Sequence, residues 1–205
     1  MVQAKASKVK GFNVRKMAMT AMLSALAAGL MFLDFSIPLM PGFIKLDFSE
    51  LPALIAAFSL GPVSGVVVCL IKNLVNLLTT NTGGVGELSN FILGSVFVLT
   101  AGIIYKKFNT RKGAFLGSLL GVVLMAAAGV ISNYFFVYPI YAKLMMPMDA
   151  ILKSYQAIYP GVQNLWQVLL IFNLPFTFFK GMCSVLITLL IYKKISPLIK
   201  GKPLA

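Results

Sequence analysis

Long apolar runs recur along this chain, and the charged residues between them are sorted by sign onto alternate connections. Arg and Lys crowd three places. Lys5, Lys8, Lys10, Arg15 and Lys16 precede the first run, Lys106, Lys107, Arg111 and Lys112 join the fourth to the fifth, and Lys193, Lys194, Lys200 and Lys202 follow the last. The five acids, Asp34, Asp47, Glu50, Glu87 and Asp149, fall on the other connections, where only Lys45, Lys143 and Lys153 accompany them. Sorting of this kind marks a chain threaded back and forth through a bilayer with its basic connections in the cytoplasm.

A span needs about 20 predominantly apolar residues. The runs are Met17–Leu33, Leu51–Leu60, Val63–Thr79, Leu88–Tyr105, Ala114–Tyr138 and Leu165–Tyr192, the second short and broken off by Gly61-Pro62. They predict an all-α polytopic membrane protein of six transmembrane helices with both termini inside. Residues 1–16 form a basic cytoplasmic leader without a cleavable signal, 17–195 the membrane domain and 196–205 a cytoplasmic tail. Two outer connections, Asp34–Glu50 and Pro139–Gly161, are long enough to act as covers over a site, aided by Phe43, Phe48, Tyr155 and Tyr159, or else are passive linkers.

Composition narrows the function. The chain is 59% hydrophobic and 11% charged, against about 25% charged in soluble domains. Its +13 charge sits beside apolar runs, so lipid rather than nucleic acid accounts for it. With no His there is no histidine base or metal ligand, and Cys69 and Cys183 read as small buried hydrophobes. No catalytic residue, metal or cofactor is expected. A phosphate-binding G-x-x-x-x-G-K-[S/T] loop is missing from the sequence, so any energy comes from an ion gradient or a partner.

Polar residues inside spans are costly and mark function or pairing. Asn173, Thr177 and Lys180 share one face of the last run, with Pro175 between them freeing the Ile171 carbonyl. Ser132 and Asn133 adjoin Tyr134, Phe135, Phe136 and Tyr138, while Glu87 and Asn90, three apart, open the fourth run. Together they suggest one pocket, open to the outside, for a planar ligand with a polar edge: aromatics stack on its faces while Asn133 and Lys180 address the edge. Structural alternatives stand beside that reading. Glu87 also suits a helix N-terminus, Lys180 an ion pair with Glu87 or another acid, and Asn90 and Asn133 interhelical bonding. Lys72 is read as structural, paired with Glu50 or Asp47, and Asp47 with Glu50 resembles a capping box. Ala21, Ala25 and Gly29, with Ala18 and Ala28, make a small-residue stripe suited to packing within the bundle or to docking a second membrane subunit.

The segments Lys45-Leu46-Asp47-Phe48-Ser49-Glu50-Leu51-Pro52, Gly61-Pro62, Lys72-Asn73-Leu74, Gly86-Glu87-Leu88-Ser89-Asn90-Phe91 and Pro175-Phe176-Thr177-Phe178-Phe179-Lys180-Gly181 together resemble the riboflavin-binding S component of energy-coupling-factor (ECF) vitamin transporters. The resemblance runs from about Met17 to Tyr192. It implies a six-helix subunit of the bacterial cell membrane that captures riboflavin from outside and has no ATPase of its own. It docks on a transmembrane coupling subunit carrying two cytoplasmic ATPases and topples in the membrane to open the site inward. It further implies ligand contacts at Leu46, Asp47, Glu87, Asn90, Asn133, Thr177 and Lys180, and docking through Ala21, Ala25 and Gly29. The family pattern places an amide three residues before the lysine; Thr177 stands there, with Asn173 one turn earlier to compensate. The other function considered is a self-sufficient carrier, driven by an ion gradient, for a small aromatic vitamin or nucleobase-like solute.

Overall fold

A computed structural model of the chain describes residues 14–200, so Lys5, Lys8, Lys10 and Lys202 of the expected leader and tail lie outside the described residues. Helix dominates: α1 (Val14–Phe32), α2 (Glu50–Leu60), α3 (Pro62–Asn76), α4 (Val85–Phe108), α5 (Arg111–Ser132), α6 (Tyr138–Leu144), α7 (Met148–Gln156), α8 (Leu165–Val168) and α9 (Leu174–Lys200). Five continuous helical stretches are long and apolar enough to cross a membrane: Val14–Phe32, Pro62–Thr79, Val85–Phe108, Arg111–Leu144 and Leu165–Tyr192. The remaining expected span is α2, whose 11 residues rise about 16 Å against a hydrocarbon core of about 30 Å. Every residue of α2 from Glu50 to Phe58 is buried by its neighbours. A short helix ending inside the membrane is tolerated under that condition, because protein rather than lipid surrounds its ends.

Gly61 makes the turn from α2 into α3 at φ 107°, a conformation open to glycine and strained for other residues. The two helices then run antiparallel and nearly touch: a Cβ on Gly65 would lie 2.9 Å from the Ala53 carbonyl oxygen. At the opposite end of the bundle from the acids, Asn109 closes α4 at φ 44°, and the Thr110 hydroxyl caps α5 by accepting from the Gly113 amide at 3.0 Å.

Two prolines reshape the long spans. Neither Pro139 nor Pro175 can donate a backbone hydrogen bond. Upstream of each, the helix widens into a single π turn, Asn133–Val137 and Leu169–Asn173, in which Tyr138 N donates to Asn133 O and Leu174 N to Leu169 O. Such turns aim side chains off the regular helical face and recur at functional sites.

The two long connections are more ordered than the sequence suggests. The first holds a small antiparallel hairpin of β1 (Phe35–Ser36) and β2 (Lys45–Leu46), with Phe35 opposite Leu46. The second is helical, α6 continuing the fifth span and α7 burying Ile151 and Tyr155. Apolar burial falls into two clusters. One lies at the heart of α2, α3, α4, α5 and α9; the other lies under the hairpin connection and α7, around Met40, Tyr138, Ile151, Tyr155 and Phe172.

Candidate functional site

Between these clusters lies a partly open hollow with a cavity volume of about 160 Å³. Helical periodicity builds its walls. Gly86, Ser89, Asn90 and Leu93 line it from one face of α4, and Asn173, Phe176, Thr177 and Lys180 from one face of the last span. Asn133 enters from the first π turn, Tyr138 and Tyr141 from α6, and Phe43, Ile44 and Lys45 from the hairpin connection. Three amides, the hydroxyl residues Thr82, Ser89 and Thr177, two lysines and several aromatic rings thus border one space.

Asn173 is held from behind by two buried tyrosines. Its Nδ2 donates to the Tyr138 hydroxyl at 3.0 Å, its Oδ1 accepts from the Tyr155 hydroxyl at 2.9 Å, and the two hydroxyls meet at 2.5 Å, closing a ring. Asn133 has a looser hold, its Oδ1 accepting from Ser89 Oγ at 3.4 Å.

Lys180 is paired within the chain. Its Nζ lies 2.8 Å from Asp47 Oδ2 and 3.5 Å from Glu50 Oε2. Lys72 Nζ completes the cluster, 2.8 Å from Glu50 Oε1 and 2.5 Å from Ser49 Oγ. None of these four charged side chains is more than 5% exposed. Two cations face two anions, the balance that burial of charge requires. Burial by itself would raise the Asp47 carboxyl, but the charges of Lys180 and then Lys72, with hydrogen bonds from Lys180 and Ser49, hold it down at about 2.

Several sequence expectations need correction. Glu87 does not line the hollow. Its carboxylate turns back to the preceding connection, accepting from Asn76 Nδ2 at 3.0 Å, Thr80 Oγ1 at 2.9 Å and Thr82 Oγ1 at 3.0 Å. Sharing a face with Asn90 was insufficient, because three nearer donors claim it. Leu46 and Asp47 also stand outside the lining: Leu46 is buried behind the hairpin connection, and Asp47 acts on the hollow through Lys180. Lys180 does form the ion pair that the structural alternative allowed, with Asp47 as the other acid rather than with Glu87. No capping box forms at α2, since Ser49 rather than Asp47 occupies the cap position and Glu50 turns inward to Lys72. Tyr134, Phe135 and Phe136 point away from the hollow and are exposed. The rings that line it are Phe43, Tyr138, Tyr141 and Phe176. Of these, Tyr141 and Phe176 carry no polar-in-span signal and were legible only as apolar residues.

The small-residue stripe divides. Ala28 is buried, whereas Ala18, Ala21, Ala25 and Gly29 are exposed on the other side of α1, and a Cβ added at Gly29 would meet nothing within 4 Å among the described residues.

Comparison with known proteins agrees with this architecture. The family model "ECF transporter, substrate-specific component" matches residues 15–192. The chain is 33% identical over 180 residues to the riboflavin transporter RibU of Staphylococcus aureus (strain TCH60), covering 88% of this chain and 89% of that one. It is 33% identical over 194 residues to the riboflavin transporter FmnP of Bacillus subtilis (strain 168), covering 92% and 95% respectively. Among solved structures, the S component of a bacterial ECF transporter superposes with a TM-score of 0.72 at 32% identity, across 92% of this chain and 99% of that one.

Proposed function

Because this chain belongs to the family of ECF transporter substrate-specific components, we propose that it is the riboflavin-binding subunit of an ATP-driven importer in a bacterial cell membrane. The observation that carries this reading is the hollow itself. Its aromatics and its amide, hydroxyl and ammonium groups border one cavity and match a flat heteroaromatic ring system that hydrogen-bonds along one edge and bears a polyhydroxylated tail. The riboflavin transporters it resembles over nearly their whole length supply the substrate.

In this reading Asn90, Asn133, Asn173, Thr177 and Lys180 contact the vitamin. Asp47 holds Lys180 in place, and Leu46 and Glu87 support the walls. The hairpin end faces outward and captures riboflavin there. The basic leader, the connection around Lys107 and Arg111, and the basic tail lie in the cytoplasm, as positive-inside sorting favours. Counted as a partial sixth pass antiparallel to α3, α2 brings both ends of the chain to that side. The exposed face of Ala21, Ala25 and Gly29 docks on a transmembrane coupling subunit bearing two ATPases, which supply the energy that this subunit lacks.

A self-sufficient carrier fits less well. The buried acids Asp47, Glu50 and Glu87 each already hold cationic or hydroxyl partners, leaving none of those three poised to relay a proton. The deciding test is uptake of riboflavin into proteoliposomes. The chain alone, even with an ion gradient, should give none, and uptake should require the partner subunits and ATP.

A further inference from the structure

The hydrogen-bonded ring joins two residues that line the hollow, Asn173 and Tyr138, to one that does not. Tyr155 belongs to α7, no residue of which lines the hollow, yet it is fully buried. Its hydroxyl donates to Asn173 Oδ1 at 2.9 Å and meets Tyr138 at 2.5 Å. Its ring packs against Phe43 and Phe172, with centroids 6.1 Å and 5.1 Å away. Burial pushes the Tyr155 phenol upward from its ordinary value, with Tyr138 adding to the effect, so the hydroxyl stays protonated and keeps donating.

A side-chain amide has two N–H donors and two lone pairs on its oxygen. The ring takes one of each from Asn173. One donor and one acceptor remain for a ligand at the hollow, and the orientation in which they are offered is set by the two tyrosines. We propose that Tyr155 is a positioning residue for recognition: it orients the Asn173 amide toward the ligand edge, so that α7 both sets affinity and responds to occupancy of the hollow. This inference rests on the riboflavin reading above.

The test is a double-mutant cycle read by quenching of riboflavin fluorescence on the full chain in detergent. Tyr155→Phe retains the ring contacts with Phe43 and Phe172 and removes only the hydroxyl. It should weaken binding by about tenfold, as expected when a buried acceptor loses its donor. In an Asn173→Ala background the same change should alter affinity by less than about twofold, because there is no amide left to orient. Equal losses in both backgrounds would overturn the inference while leaving the riboflavin assignment intact. Failure of the unmodified chain to bind riboflavin would overturn both.

A second measurement needs no change at position 155. Riboflavin should slow amide hydrogen exchange across α7 in the unmodified chain and do so far less in Asn173→Ala at saturating ligand. Exchange in α7 indifferent to riboflavin in both proteins would refute the link.

Discussion

Lys180 and Asp47 stand 133 positions apart in the chain and 2.8 Å apart in the fold. The pair joins the last span to the foot of the hairpin connection. Because Asp47 balances its charge, Lys180 can offer a hydrogen-bond donor to an uncharged ligand edge without holding an unpaired charge in the membrane. The same pair anchors the connection that carries Phe43, Ile44 and Lys45 to the rim of the hollow.

Removing one member should therefore have two effects. Asp47→Ala leaves Lys180 and Lys72 to share the single carboxylate of Glu50, and loss of one partner in a buried pair costs about 3–5 kcal/mol. Thermal unfolding in detergent should report that loss, and riboflavin titration a weaker affinity. Lys72→Met should also lower stability, since it leaves Asp47 and Glu50 to share Lys180, but it should affect affinity less than Lys180→Met does because Lys72 does not line the hollow. Equal affinity losses at 72 and 180 would contradict this division.

The pair also sets a pH dependence. The Asp47 carboxyl is held at about 2, below its ordinary 3.8. Its contribution to stability is fully present above the unfolded value and is lost as pH falls through the folded one. The anchor should hold from neutral pH down to about 4 and weaken from there to about 2. Riboflavin affinity followed from pH 7 to 5 should be flat as far as this group is concerned, and Asp47→Asn should remove the acid-side decline.

Glu87 and Asn133 make a contrasting couple. Glu87→Gln disturbs the connection between α3 and α4 and should change riboflavin affinity by less than about threefold. Asn133→Ala removes a group lining the hollow and should weaken it by about tenfold, the worth of one buried hydrogen bond left unmade. Titration of both variants side by side checks the order, and a larger loss at Glu87 would return that carboxylate to the binding surface.

Legibility in the sequence followed the physics of each signal. Spans were readable because lipid demands long apolar runs, and polar residues within them stood out for the same reason: Asn133, Asn173, Thr177 and Lys180 all line the hollow. Pairing was readable for Lys72, expected to meet Glu50 or Asp47 and found 2.8 Å from Glu50, but not for Lys180. Nothing in the local pattern distinguishes Asp47 from Glu87 as the partner of Lys180, since the choice depends on where α2 begins in three dimensions. The π turns were only half visible, because Pro175 announces a freed carbonyl but not the widened turn that delivers Asn173 to Tyr138 and Tyr155. The hairpin and α7 were hidden in connections whose mixed polarity resembles loop.

The exposed face of α1 offers a test of assembly. Ala25→Trp adds bulk on a face where Ala21 and Ala25 are exposed and where a Cβ added at Gly29 would meet nothing within 4 Å among the described residues. Riboflavin binding by the isolated subunit should persist, while uptake with the coupling subunit and ATPases should be lost. Normal uptake would assign the stripe to lipid.

The most direct test is a fluorescence titration of riboflavin with the purified chain in buffer free of nucleotide. Saturable quenching at one riboflavin per chain, weakened in Lys180→Met and Asn133→Ala, is the expected result. Undiminished flavin fluorescence at micromolar protein would contradict it.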